Sequence, residues 1–172
     1  MAVRRILDHT HPALRTPCQP VPRVTKEVRE LVRDLRETMK AAPGVGLAAP
    51  QVGITQQVLV YDTGAEGERG ALVNPRVVKL EGEETDVEGC LSIPGLQGEV
   101  SRAFKVVVTG LNEHNKAVKI RAEGYLARVL QHEIDHLSGV LFTDRAFADT
   151  LRWLPLGPSE LQPGEEAAAQ IG

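Results

Sequence analysis

The chain has 172 residues, a length that fits one hydrophobic core and makes a single domain the default. It sets 20 basic residues against 23 acidic ones with no block of like charge, so a nucleic-acid or membrane-surface role has no electrostatic support. No apolar run approaches the ~18 residues of a spanning helix, and the opening stretch MAVRRILDHTHPAL lacks the hydrophobic segment of a secretory signal, which makes the cytosol the expected location.

Aromatic residues are only 3% of the chain, so the interior must be built mostly from Val, Leu, Ile and Ala. From Thr25 to Ala41, Val28, Leu31, Val32, Leu35 and Met39 recur on one stripe with charged residues opposite, which predicts an amphipathic helix ended by Pro43 and Gly44. A loop of small residues follows, PGVGLAAPQVG. Beyond it the middle of the chain reads as strands: QQVLVYD, ALVNP, RVVKL, and KVVVTGLN paired with AVKIRAE across the turn EHNK. A second helix is predicted from about Gly124 to Leu137, broken by SGVLF. The expected fold is therefore α+β, with antiparallel sheets packed around a C-terminal helix and an N-terminal helix beside them. The expected organisation is one catalytic domain over residues 1–155 and a loose tail over 156–172, whose Pro, Gly and Glu content suits no packed core.

The second helix carries the chemistry. In QHEIDHLSG, His132 and His136 lie ~40° apart around the helix and one turn apart along it, so both imidazoles can reach one ion. Tyr125 and Val129 share that face, whereas Leu126, Leu130, Ile134 and Leu137 form a separate packing face, with Glu133 between the two. Such a motif also arises by chance on charged helices, and a third ligand decides the matter. Phe142 stands where the extended metzincin pattern needs a histidine, and Glu160 sits in GPSELQPG, a poor helix for a thermolysin-like ligand. Upstream, Cys90 in EGCLSIPG would complete a Cys-His-His site with one position left for water. Taken alone, Cys90 reads better as a small buried hydrophobe than as a ligand. Cys18, in the proline-rich TPCQPVP, is expected to be structural.

The stretch GVGLAA, with Asp62 beyond it, matches a dinucleotide-binding signature in letters only. A helix precedes it where a strand is required, and Pro50 and Gly53 forbid the helix that should follow. A glycine loop in that setting is expected to let another backbone approach closely.

Taken in order, GVGLAAPQVG, EGCLSIPG and QHEIDHLSGVLF resemble the three signature motifs of the peptide deformylases, over Ile6 to about Phe147. The resemblance implies a hydrolase that removes the N-formyl group from the formyl-methionine of new bacterial polypeptides in the cytoplasm, an organelle remaining open. It implies one ferrous ion per chain, replaceable by zinc or nickel, on Cys90, His132 and His136. It makes Glu133 the acid/base, and it sets the Gln51 amide and the Leu91 N–H on the formyl oxygen. Val45, Tyr125 and Val129 would line the methionine pocket, and the peptide would lie along Val45 and Gly46 as an added strand. The implied partner is an N-formyl-methionyl nascent peptide, with neither nucleic acid nor membrane. A basic C-terminal helix for ribosome contact finds no counterpart, since only acidic charges follow Arg152. Arg128 departs from the family's more apolar choice at the pocket rim, and Arg102 could pair with Glu88 to brace the cysteine loop. Two rivals are a general metallopeptidase and a non-catalytic formyl-peptide or metal-binding module. Glu133 and Gln51, which binding alone would not demand, favour catalysis.

Overall fold

In the computed structural model, residues 2–155 and 171–172 are described. Helix α1 (Lys26–Ala41) begins where the Thr25 hydroxyl caps the Val28 N–H, so the predicted first residue is the cap itself. Its stripe of Val28, Leu31, Val32, Leu35 and Met39 is buried as the periodicity requires, and the chain leaves through Gly44, whose N–H bonds back to Met39 O at 2.9 Å. The small-residue loop then forms a short strand, β1 (Gly46–Ala48), and a 3₁₀ turn over Ala49–Val52, with Pro50 in the first turn, where a missing N–H costs nothing.

Strands β2 (Val58–Asp62) and β3 (Arg69–Glu81) come next, then β4 (Glu84–Cys90) and β5 (Ile93–Arg102), then the hairpin of β6 (Lys105–Leu111) and β7 (Ala117–Glu123). Helix α2 (Gly124–Leu137) follows directly, and β8 (Arg152–Trp153) is a two-residue strand near the end. The strands form a five-stranded sheet in the order β1-β2-β3-β6-β7 and a three-stranded sheet in the order β4-β5-β8, with every pairing antiparallel. The α+β class and the central place of the second helix hold.

The strand readings of the middle of the chain change. ALVNP and RVVKL belong to one strand of 13 residues, because Asn74, held at φ 51° by hydrogen bonds to both backbone groups of Val21, turns an apparent break into a bulge in β3. Strands β4 and β5 were not expected, since their sequences ETDVEGC and IPGLQGEVSR show no apolar alternation.

The five-stranded sheet is buried on both faces where β2 runs. Leu59 and Tyr61 of β2 join Leu72 of β3 against α2, while Val58 and Val60 join Ala71 and Val73 against α1. On its other side α2 meets β4 and β5. Both the packing face and the chemical face expected of α2 are buried: Leu126, Leu130 and Leu137 on the one, and Val129, His132 and His136 on the other, with Glu133 and Arg128 buried as well. Of the tail expected over 156–172, residues 156–170, with Glu160, lie outside the described residues. Ile171 and Gly172 are described, and both are buried. Among the described residues no helix is long and apolar enough to cross a membrane.

Candidate metal centre

Cys90 closes β4 at a register shift where Leu91 and Ser92 turn the chain and bring Cys90 opposite Ile93. Cys90 packs in one buried apolar cluster with Leu14, Ile93, Val100, Leu141 and Phe142. His132 and His136 come from successive turns of α2, with ring centroids 5.0 Å apart. Cys90 Sγ lies 3.6 Å from His136 Nε2, and one ligand atom from each of Cys90, His132 and His136 lies within 4.8 Å of the other two. All three residues are buried.

A thiolate and two imidazoles are a donor set that suits zinc, iron or nickel. The environment fits an ion as well. Both carboxylate oxygens of Glu133 and the Nδ1 of His136 are buried without a hydrogen-bond partner, a rare state for polar atoms unless an ion or water serves them. Burial drives His136 down to about 3, which keeps the ring neutral as a ligand must be. Burial, with the negative charge of Glu133 behind it, pushes the Cys90 thiol up, so its thiolate needs a cation alongside. Burial also raises Glu133 well above the usual carboxylate range, although Arg102 pulls the other way.

A buried charge cluster orients His132. Glu88 Oε1 lies 2.8 Å from His132 Nδ1, so the Nδ1–H donates to the carboxylate and Nε2 is turned toward the other ligands. Glu88 also accepts from Arg102 at 2.5 and 2.9 Å and from Arg128 at 2.7 Å. Burial alone would raise Glu88, but hydrogen bonds from His132 and Arg102 hold it far below the usual carboxylate range. Arg102 reaches Asp135 as well, at 2.9 Å, and Arg128 donates to Val100 O and Glu84 O at 2.8 and 2.7 Å.

The pairing of Arg102 with Glu88 is thus present, whereas Arg128 lies in this cluster rather than at a pocket rim. Asp135 and Ser92 escaped the sequence reading. Position 135 is three residues past His132 and so shares its side of the helix, a spacing that could have marked it. Strand parity could likewise have linked Glu88 to Cys90, two residues on.

The remaining candidates divide. Gln51 is fully buried; its Oε1 accepts from Ala48 N–H at 3.0 Å, and its Nε2 donates to Ser92 Oγ at 3.1 Å and lies 3.8 Å from Cys90 Sγ. The Leu91 N–H donates to Ile171 O at 3.0 Å. Gly46 backs directly onto Glu133: an added Cβ would sit 2.8 Å from its Cδ and 2.9 Å from its Cγ, so the close approach at this glycine is by a side chain and not by the backbone expected. Val45 and Val129 pack in one apolar cluster with Ile171, while Tyr125, 41% exposed, stays outside that cluster. Cys18 packs in the same cluster, and burial pushes its thiol up to about 11, as suits a structural residue.

A helix bearing HExxH between two antiparallel sheets, with a cysteine brought beside it from the second sheet, is the arrangement of an α+β metallohydrolase, with one candidate Cys-His-His centre among the described residues. The chain matches the polypeptide deformylase family over residues 3–151. It is 50% identical over 145 residues to the peptide deformylase of Halothermothrix orenii, covering 84% of this chain and 92% of that protein. It is 41% identical over 165 residues to that of Dehalococcoides mccartyi, covering 96% and 98%. The crystal structure of a peptide deformylase from Legionella pneumophila superposes with a TM-score of 0.82 at 42% identity, covering 86% of this chain and 88% of that one. The chain belongs to the polypeptide deformylase family: it is a metal-dependent hydrolase that removes the N-formyl group from the formyl-methionine of newly made proteins and releases formate.

Proposed function

We propose that Cys90, His132 and His136 hold one ion, ferrous in the cell with zinc or nickel as substitutes, and that Glu133 moves the proton during hydrolysis of formyl-methionyl nascent chains in the bacterial cytoplasm. The observation that carries this reading is the buried, unpartnered carboxylate of Glu133 beside three ligand atoms within 4.8 Å of one another. When bound, the ion supplies Lewis acidity to water and to the carbonyl under attack.

Glu133, with its proton affinity raised by burial, takes the proton of the attacking water and returns it to the leaving amine, a role worth roughly 10²- to 10⁴-fold. Gln51 Nε2 and the Leu91 N–H are neutral donors for the oxyanion that forms, each worth on the order of 10²-fold. The use of the Leu91 N–H by a carbonyl at 3.0 Å supports its role. Strand β1 is an edge, paired on one side only with β2, so a peptide can add to its other side through backbone hydrogen bonds. The methionine side chain then meets Val45 and Val129, with Tyr125 at the exposed mouth. Gly46 and Leu91 crowd the carbonyl carbon, which leaves room for hydrogen and excludes a methyl group.

The reading is tested by measuring formate release from formyl-Met-Ala-Ser under anaerobic conditions with ferrous ion, against cleavage of its internal bonds. Formate alone is expected, and Glu133→Gln should keep its metal while losing roughly 10²- to 10⁴-fold in turnover. Internal cleavage would identify a general metallopeptidase instead. Metal retention without formate release by the unaltered chain would leave a binding module.

A further inference from the structure

We propose that Ser92 is a positioning residue for the reaction: its hydroxyl holds the Gln51 amide so that one amide N–H is left aimed at the developing oxyanion. The inference rests on the reading of Gln51 given above and deepens it.

The Gln51 amide is gripped at both ends. Its Oε1 accepts the Ala48 N–H at 3.0 Å, which decides which end of the amide is the donor, and its Nε2 donates to Ser92 Oγ at 3.1 Å. An amide nitrogen carries two N–H groups, and Ser92 takes one of them. The second is left for the centre, where Nε2 lies 3.8 Å from Cys90 Sγ. Gln51 is fully buried and Ser92 is 1% exposed, so bulk water does not compete for the bond between them.

The pair is also held from behind. The Leu7 N–H donates to Gln51 O at 2.8 Å and the His9 N–H donates to Ser92 O at 2.9 Å, so one stretch of chain fastens the glutamine loop to the cysteine loop. Gly53, at φ 88°, closes the turn after Gln51 with its N–H on Ala49 O and Pro50 O, a backbone state that favours glycine. The bonds to Ala48, Ser92, Leu7 and His9 use no ligand atom of Cys90, His132 or His136, so an ion on those three atoms does not compete with them. A donor aimed before charge develops costs no reorganisation when the charge forms. Without the Ser92 hydroxyl the amide would keep only its Oε1 bond, and its nitrogen would be free to swing about it.

The experiment measures kcat, KM and bound metal with formyl-Met-Ala-Ser for Ser92→Ala in two backgrounds, the unaltered chain and Gln51→Ala. In the unaltered chain Ser92→Ala should lower kcat roughly tenfold and leave KM and metal content unchanged. In Gln51→Ala it should lower kcat further by less than about twofold, because the group through which it acts is gone. Hydrogen exchange of the Gln51 Nε2 protons, read by NMR on zinc-loaded protein without substrate, should speed up roughly fivefold in Ser92→Ala, the equivalent of one neutral hydrogen bond. An equal fall in kcat in both backgrounds would make Ser92 a support of the fold alone and overturn the proposal. Metal lost from Ser92→Ala would place its effect on Cys90 and overturn it too, as would unchanged kcat or unchanged exchange. If no version of the chain releases formate, the deformylase reading fails, while exchange of the Gln51 protons still decides whether Ser92 holds the amide.

Discussion

On the five-stranded side of α2, β2 and β3 bury aliphatic side chains on both faces, and the ion pairs lie at the margin: Arg4 with Asp34 and Arg36 with Glu113 are each partly exposed. On the three-stranded side, β4 and β5 send Glu88 and Arg102 inward to meet Arg128 and His132, and none of the four side chains is more than 3% exposed. Removing charges from water is costly unless each finds partners, and here each does. The contrast separates two tasks. The aliphatic sheet supplies the apolar core under α2 and the edge strand proposed for the substrate, whereas the charged sheet brings in one proposed ligand, Cys90, and fixes the orientation of another, His132.

The largest expected effect tests the charged side. Glu88→Ala would leave Arg128 without a carboxylate, Arg102 with Asp135 alone, and His132 Nδ1 without its acceptor. We expect a loss of about 4 kcal/mol in urea unfolding and metal affinity weaker by roughly 10- to 100-fold. A loss below about 1 kcal/mol would mean that the cluster contributes little more than a solvated surface pair.

Next comes the aliphatic side. Leu59 is fully buried, and Leu59→Ala should cost about 3 kcal/mol through lost transfer energy and an unfilled cavity. Metal content should not change. If metal content falls with stability, the two tasks are not separable in the way the fold suggests.

How legible these regions were follows the same division. The stripe of α1, the hairpin of β6 and β7 and the apolar face of α2 announce themselves because their inward positions are hydrophobic. Strands β4 and β5 were invisible because Glu88 and Arg102 point inward and invert that code. Cys90, His132 and Glu133 were found by their chemistry and order rather than by pattern. The resemblance put Arg128 at the pocket rim and could not name its partner, since Glu88 comes from a strand that the sequence did not reveal. Composition marked the tail as loose, and two residues cannot produce a periodicity that would place Ile171 beside Cys90.

A smaller effect is expected at Arg128. In Arg128→Met, Glu88 keeps Arg102 and His132, and the new side chain refills most of the volume, but Val100 O and Glu84 O lose their donor. The cost should be about 1 to 2 kcal/mol by thermal unfolding. A variant as stable as the parent would assign the pairing burden of the cluster to Arg102 alone.

The smallest effect belongs to the margin of the aliphatic side. Asp34 accepts from Ala2 N–H at 2.9 Å and from Arg4 Nε at 2.8 Å, yet Arg4 is 36% exposed, so the pair is screened by solvent. Burial works against ionisation of Asp34, but the bonds from Arg4 and Ala2 outweigh it and hold the acid below its usual range. A depressed carboxyl stabilises the fold above its unfolded pKa, about 3.9, and that contribution disappears as pH falls through the folded value. Asp34→Asn should therefore cost less than about 1 kcal/mol at pH 7, and the difference from the parent should close as the solution is acidified below the unfolded pKa. Added salt should shrink the difference too, since solvent reaches the pair, while the effect of Glu88→Ala, shielded from solvent, should hardly respond. Equal salt sensitivity at the two sites would remove the distinction between a charged interior and a charged margin.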